Sequence, residues 1–145
     1  MEVIIQNGFY APELKKYIRS TNTHDFTGVV FPDGKEYFVD GGPSYFRASG
    51  DFELRENGRV VLMHLTSNSS EKEIINQLMW GSRGKNGDQP MEHKPIRYLE
   101  KDHIEAILQL DYIGCLVRDV CTYWLNTHEV EVKETHQPQI DELKS

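Results

Sequence analysis

Two turn signals in the first half of the chain constrain its fold more than any other feature. Pro32-Asp33-Gly34 separates two runs rich in β-branched and aromatic residues, 27–31 and 35–39. It reads as a hairpin turn, because proline presets φ at the first corner and glycine accepts a positive φ. Asn57-Gly58 separates 52–56 from 59–65, and this dipeptide accepts the two positive φ angles of a type I′ turn. Two hairpins predict an antiparallel sheet of about four strands. Glu2 to Gln6 reads as a further short strand ended by Asn7-Gly8. Pro12 suits the first turn of a helix, and Leu14, Tyr17 and Ile18 follow at helical spacing, which predicts a helix over 12–19.

The second half reads as helical. Ser70-Glu71-Lys72-Glu73 is a capping box ahead of Ile74, Ile75, Leu78 and Met79, which predicts a helix over 70–80. Gly81, Gly84, Gly87 and Pro90 make 81–90 a loop. Asp102-His103-Ile104-Glu105 repeats the capping logic for a short helix ending near Leu110, with Ile104, Ile107 and Leu108 as its buried stripe. Asp111 is the expected cap of a last helix whose apolar face holds Ile113, Leu116, Val117, Val120 and Trp124. Cys115 and Cys121 point to different helix faces and read as reduced core residues. The expected architecture is α+β: a single domain over 1–128, about four antiparallel strands, and three or four helices on one face. Residues 129–145 carry five acids against two lysines and no apolar period, which predicts an acidic, mobile tail.

At 145 residues, 38% hydrophobic and 27% charged, the chain has the size and composition of one globular unit. Sixteen Lys and Arg against 23 Asp and Glu give a net charge of -7, the wrong sign for general nucleic-acid binding. No run is long and apolar enough to span a membrane, and MEVIIQNGFY lacks the basic start of a signal peptide, so a cytoplasmic protein is expected.

Two loops attract chemical interest. In 40–47, Gly41-Gly42 allows close backbone approach, Tyr45 can stack, and Arg47 can fork onto a phosphate or carboxylate; the same residues also suit a plain connection between hairpins. In 83–97, Arg83, Lys85, Lys94 and Arg97 outnumber Asp88 and Glu92, a local +2 that can focus an anion, with Trp80 and Gln89 alongside. An exposed, solvated loop anchored by Trp80 accounts for the same composition. The spacing is not that of a Walker A loop, since Gly84-Lys85 is followed by Asn86. The six histidines show no pair at ligand spacing and no nucleophile set is visible, so neither metal nor cofactor is expected and catalysis has no sequence support. His103 could serve as a base or a ligand contact, although a histidine near a helix start is commonly structural.

Trp80-Gly81-Ser82-Arg83-Gly84-Lys85-Asn86-Gly87-Asp88-Gln89-Pro90, followed by Asp102-His103-Ile104-Glu105-Ala106-Ile107-Leu108, resembles a segment of small proteins encoded by tailed phages and prophages. The resemblance covers about thirty residues, and Asp40-Gly41-Gly42 to Arg47 has the look of a second shared loop. It implies a phage setting, in the host cytoplasm, and no particular mechanism. By analogy, the expected function is an accessory, anti-host-defence protein that sequesters a phosphorylated, nucleotide-like small molecule. Arg47, Arg83 and Lys85 would meet phosphate oxygens, Tyr45 or Trp80 would stack a base, and Gln89 would read a polar edge. The alternatives are direct inhibition of a host defence or transcription protein, a small nucleotide-processing enzyme using His103, and a phage structural protein without ligand. A sheet edge or the helix around Trp124 could pair two copies, so a homodimer is a further expectation.

Overall fold

The computed structural model describes residues 2–84 and 86–134. β1 (Ile4–Ala11) runs through Asn7-Gly8 rather than ending there. A Cβ at position 8 would collide with the Ile18 carbonyl of the next strand, so this glycine serves close backbone approach and not a turn. Pro12 opens a single 3₁₀ turn, Pro12–Leu14, and Lys15 then takes a left-handed conformation at φ 52°. The chain reverses there into β2 (Lys16–Ser20), whose register with β1 runs from Ala11↔Lys16 to Asn7↔Ser20. The helix expected over 12–19 is therefore a hairpin. Five ladder pairs and the stacked Tyr10 and Tyr17 rings, 4.2 Å apart, outweigh the weak preference of a two-turn helix.

β3 (Thr27–Val30) and β4 (Glu36–Asp40) form the hairpin that Pro32-Asp33-Gly34 predicts, and β5 (Arg47–Gly50) extends it into a three-stranded antiparallel sheet. The second expected hairpin is absent. Residues Glu53–Glu56 form a short helix, α1, and Asn57-Gly58 ends it: Asn57 stays at φ -95° and only Gly58 turns positive, at φ 79°. A type I′ turn needs both angles positive. The Val60 N–H instead donates to the Leu54 carbonyl, and the Leu54 side chain is fully buried.

β6 (Val61–Leu62) and β7 (Leu65–Thr66) both pair with β1. The capping box forms as expected: Ser70 Oγ accepts from the Glu73 N–H, and the Glu73 carboxylate from the Ser70 N–H, at the start of α2 (Glu71–Gln77). That helix stops before Trp80, which lies on β8 (Met79–Ser82), and β9 (Glu92–Pro95) returns antiparallel to β8 and joins β2 through Tyr17↔His93. A 3₁₀ turn, Ile96–Tyr98, leads to α3 (Lys101–Leu108) and α4 (Cys115–Glu134). Glu100, not Asp102, holds the N-cap position of α3 and makes no side-chain cap, while α4 begins at Cys115 and not at Asp111. Cys115 is exposed and Cys121 buried, so only the second is a core residue. The tail expected from 129 begins inside α4, and its residues 135–145 lie outside the described part of the chain.

The fold is α+β with antiparallel sheets and, among the described residues, four helices. The single sheet of about four strands becomes a six-stranded sheet, β6-β1-β2-β9-β8 with β7 also on β1, beside the three-stranded one. Two cores follow. Phe9, Ala11, Val29, Tyr37, Val39 and Leu54 join the two sheets, with Phe9 edge-on to Tyr37 at 5.0 Å. Leu65, Leu78, Ile96, Ile104, Ile107, Val120 and Cys121 join the helices to the larger sheet. Each fully buried aliphatic or aromatic side chain contributes roughly 1.5–3 kcal/mol relative to exposure. Buried Gln6 ties the halves together: its Nε2 donates to the Met63 and Gln77 carbonyls, and its Oε1 accepts from the Met79 N–H. Among the described residues, no helix is long and apolar enough to cross a membrane.

Candidate functional site

A cleft of about 960 Å³ opens where β2 meets residues 21–27 on one side and the β8–β9 hairpin on the other. Lys15, Lys16, Arg19, Arg83 and Lys94 line it, against Asp25 and Glu92, so five cations face two acids and the local balance is +3. A second concavity, of about 590 Å³ beside α1, is lined by Arg55 and Glu56 and carries no net charge. Volume alone would admit a small molecule to either; only the first has a field that selects one by charge.

Local structure explains how the cations come together. The left-handed Lys15 leads into β2 at the cleft, and strand alternation places Tyr17 and Arg19 on one face of the sheet. Arg19 is half-buried. Its guanidinium donates to the Met79 carbonyl at 2.9 Å and the Ile5 carbonyl at 3.0 Å, which fixes its position without neutralising it. Burial lowers its pKa from the ordinary arginine value, yet a guanidinium remains charged at neutral pH. The segment after β2 is a tight turn: the Thr21 N–H and hydroxyl donate to Asp25 Oδ2, and Ser20 Oγ donates to the Asp25 carbonyl at 2.6 Å. Asp25 thus shapes the cleft wall from within its own loop. Tyr17 is half-buried, and burial, helped by Tyr10 and Tyr98 nearby, raises its pKa.

On the opposite wall, Gly84 and Gly87 turn the loop with φ 83° and 70°, and the Gln89 N–H closes it on the Arg83 carbonyl at 3.0 Å. His93 projects from β9. Burial, and secondarily Arg19, lower its pKa while Asp25 opposes them, so the imidazole is neutral at neutral pH. Among the described residues, no group of three or more His, Cys, Asp or Glu side chains is placed to hold a metal ion.

The residues singled out from sequence divide sharply. Arg83 lines the cleft; Tyr45, Arg47, Trp80, Gln89 and His103 do not, and Lys85 lies outside the described residues. Arg47 is committed elsewhere: its Nε and Nη2 fork onto the Asp40 carboxylate at 2.9–3.0 Å, and it lies over the Tyr45 ring. Trp80 packs against the second core. Gln89 reaches its neighbour Asp88, and His103 sits half-buried on α3. Comparison with protein-family models, curated proteins and solved structures returned no match. The cleft residues that sequence reasoning missed are Lys15, Lys16 and Arg19, assigned there to a helix, and the histidines His24 and His93. The concentration of cations in Lys15-Lys16-Tyr17-Ile18-Arg19 was a visible signal for the first three.

Proposed function

We propose that this protein is a binding module for a phosphorylated small molecule of about nucleotide size, held by its anionic group in the cleft between β2 and the β8–β9 hairpin. One observation carries the reading: none of the five cleft cations has a carboxylate within 4.0 Å among the described residues, although acids outnumber cations 23 to 16 in the chain. Arg19 supplies fixed N–H donors of the type that grips tetrahedral oxyanions, and the lysines supply mobile charge around it. The likeness of residues 80–108 to tailed-phage proteins is the ground for placing this binding among the accessory functions a phage directs at its host.

Isothermal titration with adenosine monophosphate, ADP-ribose and pyrophosphate tests it. The expected result is at least one ligand bound at micromolar strength, with affinity that falls steeply as salt is added. No heat from any of the three at high micromolar concentration would remove the reading.

A protein partner is the second reading, favoured by a different surface. The Arg97 guanidinium lies over the Tyr98 and Trp124 rings, at 5.4 and 5.6 Å from their centroids, and Tyr98 and Tyr123 are each about half exposed. These residue types dominate binding hot spots. Under this reading Arg97→Ala abolishes capture of a partner from host lysate while leaving titrations with the three phosphates silent.

A further inference from the structure

Tyr10, Tyr17, His93 and Gly81 are register partners in succession across β1, β2, β9 and β8. Direct partners share a face of the sheet, so the three side chains form one row. The row ends at a missing side chain. A Cβ on Gly81 would stand 2.9 Å from His93 Nε2 and 3.0 Å from Cδ2, so the imidazole occupies the space that a residue other than glycine would fill. Arg19 lies two residues along β2 from Tyr17 and on the same face. Two of its five N–H groups meet main-chain carbonyls, and the other three have no acceptor among the described residues.

The groups that surround His93 are few. β2 contributes Arg19 and Tyr17, the following turn contributes Asp25, and β8 contributes no charge opposite it. Glu92 and Lys94 flank it on its own strand and line the same cleft with opposite charges. Arg19 is the positive charge that acts on a proton at His93, and Asp25 opposes it.

We propose that His93 makes the cleft selective for dianions: as a doubly charged tetrahedral group settles against Arg19, the imidazole takes one proton from solvent and becomes a second cation beside it. The inference rests on the anion-binding reading above and deepens it by naming the charge state of the ligand. The charge arithmetic is simple. Arg19 and Asp25 cancel beside the imidazole, so a monoanion brings the sum to -1 and a dianion to -2, and the dianion draws a proton onto the ring more strongly. The proton moves from solvent to the unprotonated ring nitrogen, and no covalent bond to the ligand forms or breaks. The preferred ligand is thus a terminal phosphate monoester and not a diester.

Sulfate and methyl sulfate separate these cases, since they share tetrahedral oxygens, differ in charge and do not titrate near neutral pH. Imidazole resonances are followed by NMR from about pH 5 to about pH 8 with each anion at saturation. The expected result is a rise of about one unit in the His93 pKa with sulfate, a clearly smaller rise with methyl sulfate, and no movement of His103. Calorimetry in two buffers of different ionisation heat should show proton uptake with sulfate that His93→Gln removes. Sulfate binding with an unmoved His93, or with His24 taking the proton instead, overturns this inference and leaves the anion-binding reading standing. Failure of both sulfate and pyrophosphate to perturb any cleft resonance removes both.

Discussion

Around the three-stranded sheet, cations meet acids: Arg47 forks onto Asp40, Arg59 bridges Glu13 and Asp33, and Lys35 reaches Glu53. In the cleft of the larger sheet, five cations converge and, among the described residues, none is so matched. The pairs in the first region join neighbouring turns. Arg59 also lies over the Phe31 ring at 4.5 Å, so it links the 3₁₀ turn, the β3–β4 turn and the first core. Those charges act on the fold. In the second region the one half-buried cation, Arg19, is held by main-chain carbonyls that orient its charge and leave it intact. On a chain with net charge -7, acids are not scarce, so the difference is one of placement. That difference in placement is the ground on which the proposed anion binding rests.

Three measurements would break or sharpen that contrast. The largest effect is expected from Arg19→Leu, which should weaken binding of a phosphate ligand about 100-fold, the worth of a charged hydrogen-bonding group. Arg47→Ala, in the paired region, should leave the same titration unchanged; an equal loss in both variants would erase the distinction between the regions. The second concerns His64, which stacks on Phe46 at 4.1 Å and accepts the Gly8 N–H at Nδ1. Burial, with help from Arg55, lowers its pKa to about 4. The unfolded chain, with an ordinary histidine near 6.5, binds more protons between these values. Stability is therefore fully present above pH 6.5 and falls as the pH drops towards 4, by on the order of 2 kcal/mol after allowance for partial solvent access. Urea melts across this window should show the slope in the native protein and a flatter profile in His64→Gln. The smallest effect is expected from Arg59→Ala. It should lower the thermal midpoint at low salt, less so in high salt, and leave anion binding intact. A loss of binding would mean that the paired region also shapes the cleft.

The sequence made local chemistry legible and long-range pairing illegible. The Ser70–Glu73 capping box and the Pro32-Asp33-Gly34 hairpin are self-contained, because the residues that satisfy the orphan backbone groups sit within four positions of one another. Residues 12–20 carry two periods at once: Leu14, Tyr17 and Ile18 at helical spacing, and the alternation of Tyr17 and Arg19 with Ile18 and Ser20. The neighbouring strand β1 decides between them, and that information is not local. Asn57-Gly58 failed for a related reason. The buried Leu54 anchors the preceding residues as a helical turn, and the glycine then ends a helix instead of linking two strands. The site inherited these errors. Arg83 was visible because its loop is glycine-rich and basic, whereas Arg19 acquires meaning only once β2 is a strand and its carbonyl partners Ile5 and Met79, 14 and 60 positions away, are in place.

Asn7 has a consequence of its own for the two loops that drew attention. Its buried side-chain amide donates to three carbonyls, those of Asp40, Gly42 and Tyr45, at 2.9, 3.3 and 3.1 Å. One amide thereby gauges the length of the connection between β4 and β5. A residue inserted or deleted between Asp40 and Tyr45 would carry at least one of those carbonyls out of reach and strand a buried donor or acceptor. Among the described residues of 83–91, hydrogen bonds run within the segment and to Ser82, and no buried amide of this kind spans it. A graft or a label between Arg83 and Gln89 is therefore expected to disturb the fold less than one between Asp40 and Tyr45.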